Sequence, residues 1–539
     1  MMCALTAFTI AGFSEYAPII KPNPAIDAAV LRLCARYGIP VPAALFAQPL
    51  NVADLRPFFA AADSLDNQNK LTPQESYLLR RIELFARSEN ALVSWSRPDK
   101  DLKTTVRLGL TGKIDPGYQD SATLGLKGII SPLLSGNAGP FSYYSGIDVW
   151  TDYRSDTMFQ ISPYQPFDGP PHNLYGRIDS GRVCASDVIR GGIRWQGKWI
   201  GAETGIDYLR IGPAENWPVT LSGTAPPMVY ARATMNLGWM EYRHAFGQLK
   251  IQKDRAKWFY LHRLDVPLLH SQLTLGINEI IINGSTAELA QTDSLRRDYY
   301  GMTRGVEWAY LIPFVPFKFT EHYLGDRDNA GMSFDFNLCY PAGFRWYGEL
   351  FLDDLTAPWT FWTSDWGNKW AFTVGGRWFG ALLKKDVAAS AEYSRIEPWV
   401  YTHFYGASHN FQHFNASLGS PLGPNADALT LTAESEVVPK ITAGLSFVNI
   451  RKNSVARGGQ INEVFQDSLY VYQGQEFRPE NPDSWTKHFL GAGTQRSSIV
   501  SMYGRYGMFE LFTVNGNIGY DLAPGKHALS ASVWGGFLF

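Results

Sequence analysis

From about Leu102 to the last residue the chain alternates apolar and polar positions with a period of two. In Met332–Tyr340, Phe334, Phe336, Leu338 and Tyr340 share one face, and Ser333, Asp335, Asn337 and Cys339 the other. Ile441, Ala443, Leu445 and Phe447 alternate with Thr442, Gly444 and Ser446. Phe512, Val514, Gly516, Ile518 and Tyr520 oppose Asn515 and Asn517. This period belongs to strands with one apolar and one wetter face. Roughly 17 to 20 such segments occur, each near the ~9–11 residues that a tilted membrane strand requires. The last one, Ala528–Phe539, puts Leu529, Ala531, Val533, Gly535 and Phe537 on one face and ends on an aromatic residue. It reads as a closing strand that pairs with a first strand near Lys103–Ile114. Long polar links are expected at 155–187, 353–369, 408–427 and 456–497, and a short turn at Pro524-Gly525-Lys526. Short turns alternating with long loops are the pattern of a transmembrane antiparallel β-barrel, here of about 18 strands. A propeller would also alternate, but it would repeat a motif every ~40–50 residues, and none recurs.

Ahead of Leu102 the period is 3.6. Ile26, Val30, Leu33 and Cys34 lie at helical spacing within 24–37, and Gly38 follows as a stop. Asn51 is placed to cap a second helix carrying Leu55, Phe58, Phe59 and Ala62. Thr72-Pro73-Gln74-Glu75 is a capping box with proline at the first helical position, ahead of Leu78, Leu79, Ile82, Phe85 and Ala86. The apolar, uncharged start, Met1–Ser14, reads as a secretory leader without its basic region. The expected organisation is therefore a leader over 1–17, a small α-helical module over 18–100, and an outer-membrane barrel over 101–539.

Composition adjusts this picture only slightly. Lys+Arg 48 against Asp+Glu 50 leaves a net charge of -2, which gives no electrostatic case for nucleic acid. Aromatic residues make up 14% and charged residues 18%. The charged share lies below the ~25% of soluble domains, as suits a lipid-facing wall with aromatic girdles. Cys3, Cys34, Cys184 and Cys339 are scattered. An oxidising compartment would permit a Cys184–Cys339 disulfide, which spacing does not establish.

Chemistry-bearing motifs are sparse. His403, His409 and His413 lie in strand-and-loop sequence, where helical spacing has no meaning, and no His-Glu-x-x-His accompanies them. No metal or cofactor is expected. Ser484-x-x-Lys487 is a chance-level string, no Gly-x-Ser-x-Gly occurs, and the chain is read as a non-enzyme. The segment Asp353–Trp366 is richer. Trp359, Trp362 and Trp366 beside Asp353, Asp354 and Asp365 combine flat apolar faces with hydrogen-bond acceptors, which is what sugar rings and their hydroxyls need. These six are the candidate polysaccharide contacts. Arg107, Asp335, Glu349, Glu434 and Arg505 alternate with apolar neighbours and are expected to line the lumen, as a closing ladder of ion pairs or as a wet pore.

Two further segments carry a resemblance. Asp207–Ser222, leading through Gly223 to Met228, contains Gly212-Pro213 before Leu221-Ser222 and a small-Pro stretch. Tyr401-Thr-His403 is followed by Asn410–Asn415 and by Leu418-Gly, then Gly423-Pro424-Asn425 and a strand through Glu434. Both resemble segments of the Wzi capsule-assembly family, with Ile211 and Ala214 departing from its Trp-Gly-Pro-Gly pattern. The resemblance implies a periplasmic helical bundle, an 18-stranded barrel and a lectin-like role in retaining capsular or exopolysaccharide. Its partners would be that polysaccharide, outer-membrane lipid and lipopolysaccharide, and the barrel-assembly machinery, with the protein a monomer. A porin or solute channel is the alternative.

Overall fold

The computed structural model describes residues 19–538, except 21–23, 88–90, 98, 100, 120, 156–173, 179–182, 253–254, 286–303, 326–327, 356–357, 383–384, 404, 415, 439, 464–470, 473–474, 477–485, 510–511 and 523–527. The expected leader and the turn at 524–526 lie outside these residues. Eighteen strands form one closed antiparallel barrel. They are β1 Leu102–Gln119, β2 Ser121–Ala138, β3 Phe141–Arg154, β4 Val183–Gln196, β5 Ile200–Asp207 and β6 Met228–Asn236. Next come β7 Glu241–Gln252, β8 Arg255–Leu268, β9 Leu273–Gly284, β10 Asn329–Leu338, β11 Phe344–Asp354 and β12 Lys369–Leu382. The circuit finishes with β13 Lys385–Ile396, β14 Ala426–Val438, β15 Ile441–Lys452, β16 Gln495–Phe509, β17 Phe512–Asp521 and β18 Ala528–Leu538.

β18 closes the barrel on β1, with Val533 opposite Ile114 and Phe537 opposite Leu110. The contact runs over Gly109–Tyr118, shifted from the 103–114 expected. The cause is local: Leu102–Val106 pairs instead with an added strip, Val93–Arg97, so that stretch of edge is already satisfied.

Strand parity divides inside from outside. Leu110, Ile114, Ile130, Ile193, Leu445, Met502, Ile518 and Val533 are exposed on the outer face. Thr105, Arg107, Ser333, Asp335 and Asn337, one residue out of phase, are buried in the interior. Apolar out and polar in is the reverse of a soluble barrel, and it is the arrangement for a wall in contact with lipid. Among the described residues no helix is long and apolar enough to cross a membrane; the apolar belt belongs to the strands.

The helices are α1 Pro24–Tyr37, α2 Arg56–Asn67 and α3 Pro73–Arg87. Gly38, at φ +67°, ends α1. Asn51 caps a 3₁₀ turn over Val52–Leu55 that leads into α2. The α3 box forms as the sequence suggests: Glu75 N–H donates to Thr72 Oγ1 at 3.3 Å, and Thr72 N–H to Glu75 Oε2 at 3.0 Å. The module seats on the end of the barrel that carries the short turns. Val41 N–H donates to Ser271 O at 3.1 Å, and Gly343 N–H to Ala35 O at 2.7 Å. Arg36 bridges Glu75 at 2.8 Å and Asp386 at 3.0 Å. Residues 47–54 reach into the lumen: Asn51 donates to Ser142, Asp54 accepts from Arg194, and Arg232 donates to the carbonyls of Ala47 and Pro49.

A Cys184–Cys339 disulfide does not form. Cys339 is a free, buried thiol packed among the helical module's apolar residues, together with Cys34. Cys184 begins β4 at the far end of the barrel, where the long connections lie, which we call the mouth. The two residues lie at opposite ends of the wall, beyond the ~7 Å Cα separation that a disulfide can span.

Candidate functional site

Two long connections turn back from the mouth into the lumen. The first, 208–227, joins β5 to β6 and wraps its backbone around two inward carboxylates. Glu349 on β11 accepts from the N–H groups of Ala214 at 2.9 Å, Val219 at 2.8 Å and Thr220 at 3.2 Å. Glu392 on β13 accepts from Glu215 at 2.9 Å, Asn216 at 3.0 Å and Trp217 at 2.7 Å, and from the Tyr347 hydroxyl at 2.7 Å. A buried carboxylate is tolerable only with such a set of donors. Gly212 belongs to the same device. Its φ is +110°, and a Cβ there would overlap the Glu349 carboxylate. The Pro213 carbonyl accepts from Arg345 Nη2 at 2.6 Å.

The second connection, 397–425, carries the other motif segment. Tyr401 sits at φ +71°. Its N–H donates to Asp353 Oδ2 at 2.7 Å, its hydroxyl donates to Val219 O at 2.7 Å, and that oxygen accepts from Ser420 N–H at 3.1 Å. Asn410 accepts from His403 N–H and donates to Ile461 O, each at 2.7 Å. Gly423, at φ +65°, precedes Pro424, whose carbonyl accepts from Lys452. Asn425 Oδ1 accepts from Leu490 N–H at 2.7 Å. Trp217, Val219 and Leu221 of the first connection and Tyr401, Phe411, Leu418 and Leu422 of the second pack with Phe259, Ile280, Ile282 and Phe351 of the wall. The Phe351, Tyr401 and Phe411 rings lie 5.2–5.5 Å apart. An apolar core therefore occupies the lumen between β6 and β15.

The histidines are part of this packing. His413 Nδ1 accepts from Lys250 N–H at 2.9 Å, and His403 Nδ1 from Tyr405 N–H at 3.2 Å. Burial, reinforced by Lys369 and Lys318, holds His403 down at about 3; burial and the neighbouring His403 also depress His409. Both rings are neutral. Among the described residues no group of His, Cys, Asp and Glu has the geometry of a metal site.

Around the core, the inward charges form a ladder. Arg263 pairs with Asp335 at 2.7 Å and Asp265 at 2.6 Å, and Arg243 also reaches Asp265. Arg377 joins Glu215 at 3.0 Å to Glu434 at 2.9 Å. Glu215 also meets Arg345 at 2.6 Å, and these guanidinium groups hold its carboxyl below the ordinary value despite its burial. Arg505, by contrast, lines a cavity of about 370 Å³ between α1, α3 and β12–β16, together with Arg32, Asp386 and Glu434.

The aromatic segment 355–368 stands at the mouth. Trp359 and Trp362 are 85% and 81% exposed. The loop beneath them is anchored: Phe361 stacks on Trp370 at 4.9 Å, Trp370 Nε1 donates to Phe361 O at 2.9 Å, and Asn368 Nδ2 donates to Thr360 O at 2.6 Å. Lys369 lies 4.2 Å from the Trp366 ring and 3.5 Å from Asp354, which is half exposed. Asp365 bridges to Thr486. Asp353 stands apart from this group; it is turned inward, buried beneath Tyr401. The structure also adds residues that the sequence did not single out. Arg395 covers the Phe489 ring at 3.9 Å, and Lys487 pairs with Glu397 at 2.8 Å while donating to Asn368 O. Their nearest sequence signal is the charged end of β13; nothing local ties them to residue 370.

No protein-family model matches this sequence, and no curated protein matches it. Solved structures do. Wzi of Escherichia coli, an outer-membrane protein involved in group 1 capsule assembly and a carbohydrate-binding β-barrel, superposes with a TM-score of 0.55 at 13% identity, over 97% of this chain and 99% of that one. OccK8 (OprE) of Pseudomonas aeruginosa gives a TM-score of 0.44 at 8% identity, over 81% and 98% of the two chains. OccK5 (OpdH) of the same organism gives 0.42 at 9%, over 80% and 98%. At these identities the likeness is one of fold.

Proposed function

We propose that this protein is an outer-membrane barrel with an occupied lumen that retains or helps to assemble capsular or exopolysaccharide at the cell surface, by binding and without chemistry. One joint observation carries the reading. Segments 208–227 and 397–425 fill the lumen from β6 to β15, and the same end of the barrel presents two bare indoles on an anchored loop. A diffusion pore works through its lumen, whereas here Glu349, Glu392, Arg345 and Arg377 of that sector are tied to the infolded segment.

In this reading the mouth faces outward and the helical module faces the periplasm, as the short-turn rule for such barrels suggests. Trp359 and Trp362 offer flat faces for pyranose rings. Asp354, Asp365 and the Lys369–Trp366 pair supply polar contacts to hydroxyls. Gly212, Pro213, Tyr401, His403, Asn410, Gly423, Pro424 and Asn425 hold the platform beneath and touch no sugar; Asp353 joins them. The likeness of fold to a carbohydrate-binding barrel supports the proposal.

Binding of the purified barrel to a glycan array, lost in the W359A/W362A variant, is the expected result. An array without signal, together with unchanged capsule in a deletion strain that makes one, overturns it. A second reading, a channel, is favoured by the cavity beside Arg505. Steady open current in a planar bilayer would support the channel, and a silent barrel the lectin.

A further inference from the structure

The connection between β9 and β10 behaves differently from the two that fill the lumen. Its residues Trp308–Tyr323 lie on the outside of the wall, and strand parity establishes this. Arg243, Arg263 and Asn278 are inward and buried, so Tyr242, Tyr260, His262 and Glu279 point outward. A 3₁₀ turn over Trp308–Leu311 and the helix α4, Phe317–Leu324, cover them. The Phe317 ring stacks on His262 with centroids 3.7 Å apart, and its N–H donates to Glu279 Oε2 at 3.1 Å. Phe314 stacks on Tyr242 at 4.5 Å, and Glu307 N–H donates to the Tyr260 hydroxyl at 2.7 Å. Tyr260, Ile281, Tyr310 and Phe317 form a closed apolar cluster between wall and strap.

This sector of the wall needs covering. His244 and His262 face each other at 4.9 Å, and His262 meets Glu279 at 3.5 Å, all on the lipid side. Polar and ionisable groups bare to hydrocarbon are costly. The strap removes them from contact and presents a different surface in their place. Trp308, Ile312, Phe314, Val315, Phe319 and Tyr323 are exposed, with Trp308 at 75%, Phe319 at 73% and Tyr323 at 90%. No charge interrupts the run between Glu307 and Lys318. An exposed apolar surface of this kind marks a contact; on α4 the half-exposed Lys318 is drawn to Glu321 at 2.8 Å, and Leu275, Ile277 and Phe334 of β9 and β10 are exposed on the same outer face.

We propose that Trp308–Tyr323 is a membrane-contact strap: its outer side is occupied by outer-leaflet lipid, with Trp308 and Tyr323 at the boundary between acyl chains and headgroups, and its inner side screens His244, His262 and Glu279. The proposal rests on the outer-membrane reading above. In a chain whose four cysteines are changed to serine, W308C, F319C and, on the wall belt, V533C are spin-labelled singly and reconstituted into phosphatidylcholine vesicles. Collision with oxygen and with a water-soluble nickel chelate is then measured. All three labels should favour oxygen and exclude nickel. A nickel-accessible F319C beside a protected V533C overturns the strap and leaves the barrel reading intact, whereas a nickel-accessible V533C overturns the membrane reading itself. Dipolar broadening between F319C labels would instead put a second copy on the surface and also overturn the proposal. If the cysteine-free chain does not fold, the native chain is photolabelled by a phospholipid carrying an acyl-chain diazirine. Adducts on 308–323 support the strap, and adducts on the belt strands alone overturn it.

Discussion

In the packed sector of the lumen the ion pairs of Arg263 are dry: its side chain is 0% exposed between Asp265 and Asp335. Across the barrel, on β1, Lys113 and Asp115 pair at 3.1 Å with their side chains 32% and 34% exposed. Both sectors follow the same alternation of apolar and polar positions. They differ in what folds against them. The first sector offers Glu349 and Glu392 at the height where 214–220 descends, and six backbone N–H groups, one of them reaching both oxygens of Glu392, hold the segment there. Among its described inward residues, the second offers Lys113, Asn515, Ser530 and Ser532, which water solvates well. Occupancy of the lumen is thus set by a few carboxylates placed to receive a loop, and the barrel wall alone does not decide it.

The contrast can be broken most severely at Arg263. R263A leaves Asp335 without a cation in the packed sector, while Asp265 keeps Arg243, and removing one partner of such a buried pair costs about 3–5 kcal/mol. The folded fraction on unheated gels and the thermal midpoint should both fall sharply. G212A comes next. The left-handed φ and the overlap with Glu349 impose strain of order 1–3 kcal/mol, so the first segment should leave its seat in a barrel that remains folded. Its reading is the appearance of ion current where the parent protein has less.

Acidification tests the second segment. Because burial holds His403 and His409 below the ordinary value of 6.5, the unfolded chain binds protons there that the folded chain does not. The stability they contribute is therefore complete above pH 6.5 and declines as pH falls toward the folded value of about 3 for His403. Proteolytic nicking within 397–425 should rise between pH 7 and 4.5, and H403Q/H409Q should flatten that dependence. At the mouth, W362A should weaken glycan binding by about 0.5–1.5 kcal/mol, or roughly 2–10-fold in Kd, with the melting temperature unchanged. K113A, in the wet sector, should change stability by less than about 1 kcal/mol.

Much of the wall was legible without coordinates, because strand parity and helix caps are written in neighbouring residues. The alternation through Met332–Tyr340 is sufficient to predict which residues face inward, and Thr72–Glu75 to predict the start of α3. The closing strand was legible too, though its register moved once Val93–Arg97 took part of the β1 edge. The candidate site was legible only in pieces. Gly212-Pro213 is legible only as part of a resembling segment, and its partner Glu349 lies 135 residues from Ala214. Asp353 reads as a companion of the mouth tryptophans until Tyr401 is seen to claim it. The strap over β7–β9 gave no period at all, since a 3₁₀ turn and an eight-residue helix are too short to leave one.

The sequence by itself determined a barrel, its approximate strand number, its apolar outer belt and its helical preface, all of which depend on spacing within one element. Only the tertiary structure decided which long connections enter the lumen, which one lies on the outer wall and which carboxylates receive them. Those outcomes turn on single hydrogen-bonding groups meeting across 38 residues for the strap and as many as 177 for the first lumen segment, and no local pattern encodes such distances.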